Sequence, residues 1–151
     1  MNQQLHLPID GAEEDAPALP VRLGFPRAGD GGRPFDDDAF LFEPWWPGAH
    51  AFLRCSGGAL EMHTEHLSDP LAVFPELRDS LAGFERDGSI VEGTLLALDQ
   101  DGRPDAGLLR RRLRGSASIT EAAEGAFVAA DLPYLDGRSL ARKPFVERRR
   151  R

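Results

Sequence analysis

The chain has 151 residues, 41% of them hydrophobic and 28% charged, with a net charge of −7, enough to bury roughly two thirds of its unfolded surface around one core without staples. Cys55 is the only cysteine, which excludes an internal disulfide and a multi-cysteine zinc site and leaves that residue as a small hydrophobe on a strand. No apolar run approaches the ~18 residues of a membrane span, and the opening MNQQLHLPIDGAEED lacks the basic and apolar regions of a secretion signal, so a cytoplasmic protein with no membrane partner is expected.

Residues 1–34 are rich in Pro, Gly, Asp and Glu and have no apolar period; they read as an extended or disordered lead-in to a domain over residues 35–151. FLFEP (Phe40 to Pro44), AHAFLRC (Ala49 to Cys55) and ALEMHT (Ala59 to Thr64) have the length and composition of short strands, the last two joined by the hairpin signal SGG. The period then changes. In DPLAVFPELRDSLAGF, Asp69 or Ser68 can cap a helix that places Phe74, Leu77, Leu81 and Phe84 on one face and ends near Gly83.

SIVEGTLLALD (Ser89 to Asp99) reads as a longer strand interrupted at Gly93, followed by the turn QDGRPD. AGLLRRRLRG is a short helix with Leu108, Leu109 and Leu113 inward and Arg110, Arg111, Arg112 and Arg114 mostly outward. AFVAADLPYL (Ala126 to Leu135) is a strand, DGRS turns, and SLARKPFVERRRR begins a final basic helix. Helices mixed with strands and an early hairpin predict an α+β domain with antiparallel pairing.

Charge is unevenly spread: residues 1–75 hold 12 acids and 4 bases, residues 103–151 hold 6 acids and 12 bases. Of the basic residues only Lys143 is lysine. The arginines of LLRRRLRG (Arg110, Arg111, Arg112, Arg114) and of ERRRR, with Arg138 and Arg142, are candidate phosphate contacts; the plainer reading is a solvated face, and DNA is expected to be contacted indirectly if at all. His63, Glu65 and His66 are types that ligate zinc, yet on a strand His63 and Glu65 point one way and His66 the other. No metal site is expected there.

Five blocks carry a family resemblance. GRPFDDDAFLFEP, RDSLAGF, IVEGTLLALDQDGRPD, DLPYLDGRSL and KPFVERR stand in order and in register, and from about Pro34 to Arg149 the chain resembles the adenylation domain of ATP-dependent DNA ligases, the bacterial repair type in particular. The resemblance implies antiparallel sheets with flanking helices, like the N-terminal part of the ligase nucleotidyltransferase (ATP-grasp-like) fold. It also implies a turn of the form Lys-x-Asp-Gly-x-Arg, whose lysine attacks the α-phosphate of ATP. Laid on this chain, that lysine is Trp45, the aspartate Pro47, the glycine Gly48 and the arginine His50. An indole nitrogen cannot replace the amine, because its lone pair belongs to the ring.

Other positions depart in the same direction. Thr64, Glu65, His66 and Leu67 stand where the family has an arginine-bearing turn that meets the nucleotide, and a carboxylate there repels a triphosphate. Glu92, Gly93 and Thr94 replace Asp-Gly-Glu, and Ala130 with Asp131 replaces a Phe-Asp pair whose ring stacks on adenine. The family's later metal and lysine motifs and its oligonucleotide-binding domain would lie beyond Arg151. A protein without adenylation activity and without a cofactor is therefore expected, with an ATP-binding nucleotidyltransferase completed by another chain as the enzymatic alternative, and His50 as a remote candidate nucleophile.

Two readings remain for the tryptophans. One indole fills the emptied nucleotide cleft, or Trp45 and Trp46 leave a ring exposed as an anchor for a protein partner. Sheet edges left without the family's remaining strands are expected to pair with another chain, giving a homodimer or an obligate complex.

Overall fold

The computed structural model describes residues 36–38, 40–65, 67, 69–84, 86–115 and 123–151. The expected lead-in, His66 and Ser68 lie outside the described residues. The hairpin is formed by β1 (Ala49–Ser56) and β2 (Ala59–Thr64), paired antiparallel from Ala51–Thr64 to Ser56–Ala59. Gly57 and Gly58 turn the chain at φ of 58° and 72°, a region that suits glycine at the head of a tight hairpin. β3 (Ser89–Leu98) pairs with the other edge of β1 and with β4 (Glu124–Leu135), and β5 (Arg138–Ser139) completes the order β2-β1-β3-β4-β5, antiparallel throughout. The α+β architecture expected from the sequence is the one the molecule adopts.

One expected strand does not form. Phe40–Pro44 is irregular chain with its large side chains in solvent. Its apolar residues do not alternate with polar ones, so no face is marked for a core, and Pro44 and Pro47 can donate nothing to a ladder.

The expected helix over residues 69–84 is divided. α1 (Pro70–Val73) starts at Asp69, whose carboxylate accepts from the Ala72 N–H at 3.2 Å. α2 (Glu76–Ser80) follows, then a 3₁₀ turn at Ala82–Phe84. Pro75 is the cause: it lacks an N–H and displaces Phe74 from helical angles, to φ −120° and ψ 65°. The inward face survives the break, with Phe74 and Leu77 buried and Leu81 and Phe84 packed against the core.

α3 (Ala106–Leu113) is capped by Asp105, which accepts from the N–H groups of Leu108 and Gly107 at 2.9 and 2.6 Å. Those two bonds hold the Asp105 carboxyl below its usual range. α4 (Phe145–Arg149) is shorter than the final helix expected, because the preceding residues form β5 and a turn and Pro144 sets the start.

The core lies on one sheet face, where Ala51, Leu53, Met62, Val91, Leu95 and Ala97 meet Leu71, Phe74, Leu77 and Leu109 from the helices. By strand alternation the opposite face carries His50, Arg54, Glu61, His63, Glu92 and Thr94. Cys55 is buried, as expected of a strand hydrophobe. Among the described residues no helix is long and apolar enough to cross a membrane.

Candidate functional site

The turn into β1 carries the residues, Trp45 to His50, that the resemblance lays on a nucleophile motif. Trp45 is 80% exposed and Trp46 37% exposed; the cleft-filling reading does not describe Trp45, whose indole lies in solvent. Gly48 is pressed against β3, where a Cβ would meet the Leu95 carbonyl oxygen and Thr94 Cγ2, both at 2.4 Å. Its place in the motif thus has a packing reason that needs no nucleotide. Among the described residues no amine stands on this turn. Lys143, the one lysine of the chain, lies at the foot of α4, 3.9 Å from the Glu147 carboxylate.

His50 and Glu92 are brought together from adjacent strands: His50 Nε2 lies 2.7 Å from Glu92 Oε1, and the imidazole meets the Phe52 ring edge to face at 5.1 Å between centroids. Both positions were singled out in the sequence, but not as partners. Next to Glu92 the pairing of β3 with β4 shifts register at Gly93, so the interruption expected there is an irregularity inside a continuous strand. The contact joins two polar side chains on the face of the sheet opposite the core. It has no arginine of the motif beside it to neutralise a phosphate.

Asp131 is committed elsewhere. Arg148 donates to it through Nε and Nη2 at 2.7 and 2.6 Å, and through Nη1 to the Lys143 carbonyl at 2.7 Å. This bidentate bond raises the Arg148 pKa against the opposing effect of burial. Arg149 pairs with Glu43 and donates to the Ala130 carbonyl at 3.1 Å, tying the segment before β1 to the middle of β4. ERRRR is therefore part docking element rather than a uniform solvated end, a role no local pattern announces because its partners lie 17 and 106 residues away.

Thr64 and Leu67 close a local turn, Thr64 N–H donating to the Leu67 carbonyl at 3.0 Å and Leu67 N–H to Thr64 Oγ1 at 3.1 Å. Glu65 sits exposed on it.

The arginine helix needs one correction. Arg110, Arg111 and Arg114 are exposed, but Arg112 is 3% exposed. Arg112 Nη1 donates to Glu76 Oε1 at 2.6 Å and to the Ala123 carbonyl, Nη2 donates to the Val73 carbonyl at 2.7 Å, and the guanidinium lies 3.9 Å above the Phe74 ring. It occupies the helical position between Leu109 and Leu113 that faces the core. A guanidinium buried there, with both terminal nitrogens bonded to Glu76, Val73 and Ala123, does not reach a phosphate.

No family model matches the chain. It is 28% identical over 116 residues to the SPbeta prophage-derived DNA ligase-like protein LigB of Bacillus subtilis, covering 77% of this chain and 41% of that protein. To the multifunctional non-homologous end joining protein LigD of Mycolicibacterium smegmatis it is 27% identical over 111 residues, 74% of this chain and 14% of LigD. Among solved structures, mycobacterial DNA ligase D complexed with ATP and MES superimposes with a TM-score of 0.57 at 27% identity, over 72% of this chain and 34% of that one. The chain thus spans less than half the length of these relatives. In sequence and in fold it resembles part of the adenylation domain of ATP-dependent DNA ligases.

Proposed function

We propose that this chain is a non-catalytic relative of the ligase adenylation domain that works by binding another protein, in the setting of DNA repair or end joining. The observation that carries the reading is Trp45: a solvent-exposed indole stands where the resemblance requires an amine. Removing a covalent nucleophile typically removes several powers of ten in rate, and the loss of a stacking ring at Ala130 weakens base binding by a further ~1–3 kcal/mol if stacking on nucleic acid is a guide. Trp45 and Trp46 supply the anchors for a protein partner. DNA is met through that partner rather than directly, and Arg110, Arg111 and Arg114 are the exposed arginines of α3 that a phosphate would reach. Self-association through the outer edge of β2 is the second arm of the proposal, since β2 ends the sheet.

The alternative is an ATP-binding nucleotidyltransferase whose site another chain completes. What favours it is coverage: this chain matches 34% of a ligase domain that holds ATP, so the groups missing here have room to come from elsewhere. Incubation with α-labelled ATP and magnesium separates the two. The binding reading expects no label on the polypeptide; a covalent AMP adduct, alone or after adding a cell extract, establishes the alternative.

A further inference from the structure

The segment before β1 and the C-terminal end of the molecule carry complementary chemistry. From Asp36 to Trp46 the chain holds four carboxylates and no cation, and it leaves Phe40, Leu41, Phe42 and Trp45 more than half exposed. Residues 131–151 hold seven cations against three carboxylates. In that basic region, between β4, α4 and the turn at Phe84, lies a cavity of about 280 Å³ with Phe84, Val91, Leu132 and Leu135 in its lining and Arg86 and Arg151 among its cations. Apolar side chains beside Arg151 and beside the guanidinium groups of Arg86 and Arg148, which Asp136 and Asp131 hold in place, suit an indole, which gains both burial and cation–π attraction. Carboxylates flanking the indole suit the surrounding arginines.

The molecule does not use its own arm to fill this cavity. Glu43 pairs with Arg149, one of the cavity's own residues, yet two residues further on Trp45 points into solvent. We propose that Trp45 of one molecule enters the cavity of a second copy and that the exchange is reciprocal, giving a two-fold dimer. The proposal rests on reading the arm as a protein-binding element and names the partner as the chain itself. At 150–250 Å² per large aromatic side chain the exposed arm offers on the order of 600 Å², so two arms and the surfaces they cover reach the ~1,200–2,000 Å² of a standard specific interface. Both contacts are of the isologous kind that two-fold dimers require.

Sedimentation of the full chain at about 100 µM tests this, at low and at high salt, because attraction between exposed charges is screened over a ~10 Å Debye length at 0.1 M. A dimer is expected at low salt, with blue-shifted tryptophan emission, dissociating at least ten-fold more readily at high salt. Trp45→Ala weakens it by at least ten-fold while leaving the melting temperature of the monomer unchanged. Reversing the arm (Asp36→Arg, Asp37→Arg, Asp38→Arg) yields a monomer, as does reversing the basic side (Arg142→Glu, Arg150→Glu, Arg151→Glu), and mixing the two variants restores a heterodimer. A wild-type monomer at low salt overturns the inference. So does a dimer indifferent to Trp45→Ala and to the charge swap, although that outcome leaves pairing at the β2 edge intact. A covalent AMP adduct would remove the non-catalytic reading without altering any of these sedimentation results.

Discussion

Gly48 illustrates how a motif residue can be held by packing alone. Its backbone runs so close to β3 that a methyl group overlaps the Leu95 carbonyl, and forcing extra atoms into a packed contact costs about 1–3 kcal/mol. Gly48→Ala should therefore lower stability by about 2 kcal/mol in urea denaturation, in a protein with no nucleotide present. Trp45 is the converse, a motif position with no packing role within its own chain: its 80% exposure predicts that, at high salt and low protein concentration where the monomer prevails, Trp45→Ala and Trp45→Lys melt like the wild type. Trp45→Lys restores an amine, yet Pro47 and His50 stay in place of the aspartate and arginine and His50 stays bonded to Glu92. Intact-mass measurement after incubation with ATP is expected to find no adduct on this variant. The tryptophans were visible as anomalies in the sequence; their exposure was not, because burial depends on what the fold places opposite them.

Between elements, two buried or half-buried ion pairs decide the assembly. Glu76 and Arg112 join α2 to α3, and the Gly125 N–H donates to Glu76 at 2.8 Å, adding β4. Removing one partner of such a pair strands the other and costs about 3–5 kcal/mol, so Arg112→Ala should unfold at markedly lower denaturant than Arg111→Ala. Burial pushes the Glu76 carboxyl up, but the bonds from Arg112 and from backbone N–H groups outweigh it and leave the pKa below the ordinary glutamate value. A depressed carboxyl contributes stability that is present above its unfolded pKa and lost as pH falls through the folded one, here below about pH 4.3. Thermal melts from pH 7 to pH 3 should show the wild type losing more stability in that acid window than Glu76→Gln. Arg148 and Asp131 dock α4 on β4, and charged hydrogen bonds of this kind contribute about 1.5–3 kcal/mol. Asp131→Asn is accordingly expected to speed tryptic cleavage after Arg142 while the sheet stays protected from hydrogen exchange.

For the whole molecule, the charge asymmetry read from the sequence becomes an acidic arm and a basic end joined at Glu43 and Arg149. The lack of a motif amine and a stacking ring predicts little affinity for ATP. Because a ligand stabilises only by RT ln(1 + [L]/Kd), millimolar ATP with magnesium should leave the melting temperature within about one degree. The hairpin, the strand around Gly93, the cap at Asp69 and the α+β class were all legible in the sequence, since period, turn chemistry and capping act over a few neighbouring residues. Pro75 shows the limit of periodicity, for the apolar spacing survives while the helix does not. Tertiary structure alone decided that Arg112 is a core residue among exposed arginines, that His50 meets Glu92 and that Arg148 meets Asp131. The reason is physical: a side-chain pair spanning 17 to 42 residues is fixed by how strands align and helices dock, and although helical spacing sets position 112 on the inward face, the Glu76 and Val73 oxygens that let a guanidinium stay buried there come from remote parts of the chain.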